Sequence, residues 1–86
     1  MRLSLHRSFT KKYAKASPIT QSRFKERRDL FIKESDHPLL HLHPLSGDRK
    51  GQWSINVTGD WRALFIYEDE QTIIFIDLDT HSNLYK

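Results

Sequence analysis

The sequence predicts an α+β fold in the order β-α-α-β-β-β, with an N-terminal strand and a helical hairpin packed on an antiparallel sheet. Three observations predict it. Ser17-Pro18 pairs a helix cap with the residue that best tolerates the first helical position, and a long helical pattern follows it. Gln52 to Thr58 alternates strictly between apolar and polar. Trp61–Tyr67 and Thr72–Leu78 are runs rich in β-branched and aromatic residues, set off by the turn signals Gly59-Asp60 and Glu68-Asp69-Glu70.

In chain order, Arg2 to Arg7 alternates with Leu3 and Leu5 on one side, which predicts a short half-buried strand. Ser8 is the expected cap of a first helix. Phe9 and Tyr13 share one side of it, and Lys11, Lys12 and Lys15 lie largely on the other. The second helix is expected from Pro18 to about Glu34. Its stripe holds Phe24, Arg28 and Phe31, widened by Ile19, Leu30 and Ile32. Asp36-His37-Pro38 ends it, because the residue before a proline is pushed out of the α region. Leu39 to Lys50 reads as a loop pinned by Leu39, Leu40, Leu42 and Leu45. On the strand that follows, Trp53, Ile55 and Val57 form the apolar side, with Ser54 and Asn56 pointing away from it. The last three strands then make an antiparallel meander, with His81 to Lys86 as a tail.

The length, 86 residues, predicts one domain over 1–86. The absence of Cys excludes disulfides, a thiolate nucleophile and a Cys-bound zinc. No apolar run approaches the roughly 20 residues that span a membrane, and the N-terminal stretch lacks a signal-peptide core; a cytoplasmic protein without a membrane partner is expected. Net charge is +3, unevenly spread: residues 1–33 carry ten bases and two acids, and residues 34–86 carry four bases and nine acids. A basic half predicts an anionic partner, and the simpler account is a solvated pair of helix faces.

Chemistry concentrates between His43 and Arg62 and near the C-terminus. A sheet of this topology can bring His43, Asn56, Asp60, Arg62 and His81 to one face, beside Arg49 and Lys50. That set suits metal-free RNA cleavage. One group takes the proton of a ribose 2′-OH, another protonates the leaving 5′-oxygen, and a cation stabilises the charged intermediate. Histidine suits either proton role because it titrates near neutrality. The guanidinium of Arg62 matches phosphate oxygens. Trp61 or Tyr85 suits base stacking. Each residue also has a structural reading: Asp60 shapes a turn, Arg62 pairs with Asp60, His81 caps a strand end, and His43 bonds within its loop. No cofactor is implied. His41 and His43 lack a third ligand, so no metal site is expected.

The motifs His43-Pro44-Leu45-Ser46-Gly47, Lys50-Gly51, Trp53-Ser54-Ile55, Asp60-Trp61-Arg62 and Thr80-His81-Ser82-Asn83-Leu84-Tyr85, in this order and spacing, resemble the YafQ branch of the RelE/ParE toxin superfamily. The resemblance covers the whole chain and implies the RelE/ParE-like β-α-α-β-β-β fold. It implies the toxin of a type II toxin–antitoxin pair, an mRNA endoribonuclease that cuts messages in the ribosomal A site and is neutralised by a cognate antitoxin. Operator DNA would be met only through the antitoxin complex. By motif, His43, Asp60, His81 and Tyr85 fall at active-site positions, and Arg62 falls where relatives place an arginine beside the scissile phosphate. Lys11, Lys12, Lys15, Arg49, Lys50 and Trp61 are the expected RNA contacts. The chain departs from YafQ at Asn56 and Ser54, where that protein has His and Asp. Asn56 cannot exchange a proton near neutral pH, so the shuttle falls to His43 and His81, with Asn56 orienting. Two alternatives stay open: a ParE-like, non-enzymatic toxin acting on DNA gyrase, and a catalytically decayed homologue that retains antitoxin binding.

Overall fold

The computed structural model describes residues 1–85. Its first strand, β1 (Arg2–Leu5), is shorter than the alternation suggested, because His6 leaves the strand to cap the first helix, α1 (Arg7–Lys15). The His6 Nδ1 accepts the backbone N–H of Ser8, so the cap is His6 and not Ser8. The Ser8 hydroxyl donates instead to the Ile76 carbonyl of the last strand. Leu3 packs against the core, but Leu5 lies exposed at the strand end.

The second helix, α2 (Pro18–Lys33), begins as expected: Ser17 Oγ accepts from Thr20 N, and Pro18 opens the first turn. Its buried face is set by Thr20, Phe24 and Phe31. Ile19 and Ile32 sit one residue, about 100°, to either side of that face. Both are exposed, contrary to the broader stripe read from the sequence. Gln21 Nε2 donates to the Tyr13 carbonyl at 2.8 Å and ties the hairpin together.

The sheet has five strands in the order β1-β5-β4-β3-β2, with β2 at His43–Pro44, β3 at Trp53–Asn56, β4 at Trp61–Asp69 and β5 at Thr72–Thr80. Strands β3, β4 and β5 form the expected antiparallel meander. Two features were not expected. Strand β1 pairs parallel to β5, and the segment read as a loop contributes the short edge strand β2, paired with β3. Pro44 is tolerated there because an edge strand has one side free of ladder bonds. Within the same segment, Leu40 is fully buried, whereas the Leu39 side chain is exposed, contrary to the expected anchor. Strand β3 ends early because the Thr58 hydroxyl accepts both Asp60 N and Trp61 N and closes the turn to β4. Gly51, at φ +94°, adopts a conformation that only glycine takes without strain as the chain enters β3.

The helices cover one face of the sheet. Phe9, Phe24 and Phe31 meet Ile55, Val57, Ala63, Phe65, Ile73, Phe75 and Leu78, all buried. Ring centroids stand 4.8 Å apart for Phe9–Phe24, 5.0 Å for Phe24–Phe75 and 5.1 Å for Phe31–Phe65, within the range of favourable aromatic pairs. The chain closes with a single helical turn, α3 (His81–Leu84), capped by Thr80 Oγ1. Among the described residues, no helix is long and apolar enough to cross a membrane.

Candidate active site

Directly opposed residues on neighbouring strands share a face. The register therefore lays two rows across the side of the sheet away from the helices. One runs His43, Ser54, Leu64, Asp77; the next runs Asn56, Arg62, Asp79. The β5 end of these rows depends on an irregularity. Leu64 opposes Asp77 but Phe65 opposes Phe75, so Ile76 is an extra residue. The bulge switches the alternation of β5. Ile73 and Phe75 point into the core, Leu78 does too, and Asp77 and Asp79 turn to the other face.

This face is partly roofed. Ser54 and Leu64 are fully buried, and Leu84 nearly so. Arg49, from a 3-10 turn at Gly47–Arg49, donates from Nε to the Leu84 carbonyl at 3.3 Å and from one terminal nitrogen to Gln52 Oε1 at 3.1 Å; its other terminal nitrogen lies 3.9 Å from Asp77. An open cleft of about 690 Å³ lies here, bordered by His43, Arg49, Gln52, Leu84 and Tyr85 among others.

The two histidines of the expected proton shuttle reach the site by different routes. His43 is half-buried on β2, and its Nδ1 stands 2.8 Å from the His41 carbonyl. A carbonyl only accepts, so in the neutral ring Nδ1 is the donor and Nε2 the acceptor nitrogen. His81 opens α3. Its backbone N–H donates to the Asp60 carbonyl at 2.8 Å, and its ring packs against Tyr85 with centroids 4.6 Å apart. The structure thus brings His43, Arg49 and Tyr85 to one cleft, with His81 against Tyr85 and Asp60 beside His81 through the backbone.

Arg62 is placed differently from the sequence reading. Its NH1 donates to the carbonyls of Thr58, Gly59 and Trp61 at 3.0–3.3 Å, folding the guanidinium onto its own turn. It pairs neither with Asp60 nor with Asp79 among the described residues. Asn56, its neighbour across the ladder, has a buried Oδ1 with no hydrogen-bond partner among the described residues, and the same holds for Ser54 Oγ. Trp61 packs partly against the core from the helical side, whereas Tyr85 is exposed.

The basic helix is also only partly available. Lys12 Nζ lies 2.8 Å from Asp79 and 3.1 Å from Asp77, and this pairing raises its pKa, chiefly through the hydrogen bond to Asp79. Burial pushes the Asp79 carboxyl up, but the hydrogen bonds from Lys12, Asn83 and the Thr80 N–H outweigh it and hold the pKa at about 2. Lys11, Lys15 and Lys50 are exposed. His41 and His43 stand with ring centroids 5.1 Å apart, but among the described residues no three His, Asp or Glu side chains gather as metal ligands. Sequence reasoning missed Asp77, Asp79 and Asn83. The available signal was a pair of alternating acids in an otherwise apolar strand.

No family model matches the chain. YafQ from E. coli strain BL21(DE3) superposes over the full length of both chains with a TM-score of 0.82 at 20% sequence identity. The chain has the fold of YafQ. E. coli YafQ in its complex with DinJ matches with a TM-score of 0.76 at 19% identity, again over the full length of both chains. In sequence, the chain is 40% identical to Endoribonuclease HigB of Proteus vulgaris over 50 residues, which is 58% of the chain and 54% of HigB. The chain thus matches about half the length of that curated relative.

Proposed function

We propose that this chain is the toxin of a type II toxin–antitoxin pair and that it cleaves mRNA without a metal, by attack of a ribose 2′-OH on the adjacent phosphate. One observation carries the reading: His43, Arg49 and Tyr85 border a single cleft, with the His81 ring packed at a tilt against Tyr85. Its likeness in sequence to an endoribonuclease and in fold to YafQ supports the same reading. His43 Nε2 takes the 2′-OH proton, and His81 protonates the leaving 5′-oxygen. Arg49 neutralises the phosphate, because it borders the cleft, whereas Arg62 does not and is folded onto its own turn. Tyr85 supplies a ring for an unstacked base. The natural substrate is a message held in the ribosomal A site, and the neutralising partner is a cognate antitoxin, as DinJ partners YafQ in their complex. Operator DNA is met through that complex.

The test is induced expression in a bacterium, with transcript ends mapped, followed by cleavage of ribosome-bound mRNA by the purified protein. Growth arrest with discrete cuts is expected, and His43→Ala or His81→Ala should each lower the rate by about 10²–10⁴-fold. Full toxicity of His81→Ala overturns the catalytic assignment. Inhibited DNA supercoiling with intact RNA would instead mark a ParE-like action on gyrase. One observation favours a decayed homologue: the Asn56–Arg62 pair offers no proton carrier and a cation committed to backbone carbonyls. Antitoxin binding without toxicity would establish that reading.

A further inference from the structure

The turn that carries His81 and Tyr85 is itself held largely by residues outside the cleft. Helix α3 is a single turn of four residues, too short to be stable alone, since helix nucleation costs more than one turn returns. Its pose is set by its attachments. Two lie at its start: the Thr80 cap, and the His81 N–H on the Asp60 carbonyl. The other two run through the acids that the β5 bulge turns to this face. Asp79 Oδ1 accepts from Asn83 Nδ2 at 3.0 Å and from Thr80 N at 2.8 Å. Asp77 faces Arg49, whose Nε holds the Leu84 carbonyl.

Both acids are in turn bridged by Lys12 of α1. That helix is fastened to the same bulge one turn earlier, where the Ser8 hydroxyl donates to the Ile76 carbonyl. Lys12 lies four residues after Ser8, on the same side of α1, and so reaches the two carboxylates that follow the bulge. It neutralises two like charges on alternate residues of one strand, which would otherwise repel each other, and leaves Asp79 free to direct its second oxygen at α3.

We propose that Asp79, oriented by Lys12, is a positioning residue for the cleavage reaction: through Asn83 and Thr80 it sets the pose of the turn that presents His81 and Tyr85 to the cleft. The inference rests on the cleavage reading for its kinetic arm only. Lys12 on this account is a structural cation rather than an RNA contact.

The test uses the full chain with Asn83→Ala, Lys12→Ala, Lys12→Arg and Asp79→Asn. Asn83→Ala and Lys12→Ala should each lower kcat for ribosome-bound mRNA by about tenfold with little change in KM, as expected for a misplaced catalytic group. Both should weaken the nuclear Overhauser contacts between the His81 and Tyr85 rings, and Lys12→Arg should restore rate and contacts together. Unchanged ring contacts and kcat in both alanine variants overturn the proposal, as does a raised KM at constant kcat in Lys12→Ala, which would make Lys12 an RNA contact. If the wild type cleaves no RNA, the catalytic reading falls and the ring contacts alone decide the positioning role. Where Asp79→Asn fails to fold, Asn83→Ala decides it, since that change trims an exposed amide.

Discussion

Arg62 and Asp79 oppose each other across the β4–β5 ladder, yet each is engaged elsewhere. The guanidinium turns to the carbonyls of Thr58, Gly59 and Trp61, and the carboxylate turns to Lys12 and Asn83. One neighbour pair thus serves two different parts of the fold: the β3–β4 turn and the C-terminal helix.

Removing Arg62 should therefore cost stability. Hydrogen bonds from a charged donor are worth about 1.5–3 kcal/mol, and Arg62→Ala is expected to lower the unfolding free energy by about that amount. A single guanidinium nitrogen makes all three contacts, so Arg62→Lys, whose ammonium sits on a stem of different length and shape, should fall between. Urea unfolding reads both; a loss below about 0.5 kcal/mol would show that the turn does not depend on these bonds.

Asp79 makes an acid-sensitive contribution. Its folded pKa of about 2 lies below the ordinary 3.8, so the stabilisation is present above the unfolded value and lost as pH falls from about 3.8 through about 2. The shift corresponds to about 2 kcal/mol. Lys12 acts at the other end of the scale: its pKa is raised from 10.5, so its share is complete below that value and lost as pH rises through the folded pKa. Unfolding followed across this range should show the acid loss in the wild type and a flatter acid limb in Asp79→Asn.

Ser54→Ala should be neutral or stabilising by up to about 1 kcal/mol, because it removes a buried hydroxyl that lacks a partner among the described residues. A loss greater than that, measured by the same urea titration, would reveal a hydrogen bond that the geometry does not contain.

Asn56→His tests the proton inventory of the cleft. An imidazole beside Arg62 would add an exchangeable group where the amide has none, and single-turnover cleavage should rise by at least about tenfold. An unchanged rate would mean that His43 and His81 already complete the shuttle.

RNA association should weaken steeply with salt, and the lysines of α1 should not contribute equally. Lys11→Ala or Lys15→Ala should each reduce the slope of log K against log salt by about one. Lys12→Ala should change it less, because two carboxylates already neutralise that charge. Equal slopes for all three would show that Lys12 leaves its acids to meet RNA.

The sequence by itself determined the parts of this protein whose physics is local. The Ser17 cap and Pro18 mark the start of α2, and the alternation of Trp53, Ile55 and Val57 marks β3 and its core side. Gly59-Asp60 and Glu68-Asp69-Glu70 mark the turns of the meander. His43, His81 and Tyr85 were legible as a candidate set from their motifs, although no local rule brings them together. Tertiary structure alone decided the parallel pairing of β1 with β5, the recruitment of His43–Pro44 as an edge strand, and the folding of Arg62 onto its turn. Above all it decided the bulge at Ile76. A strand written with period two places Asp77 and Asp79 on the same side as Ile73 and Phe75, in the core. One extra residue, chosen by pairing with β4, reverses that and lets Leu78 be buried in their place. Strand register is a contest between whole faces over which side chains are withdrawn from water, and its outcome depends on the neighbouring strands as much as on the strand's own residues.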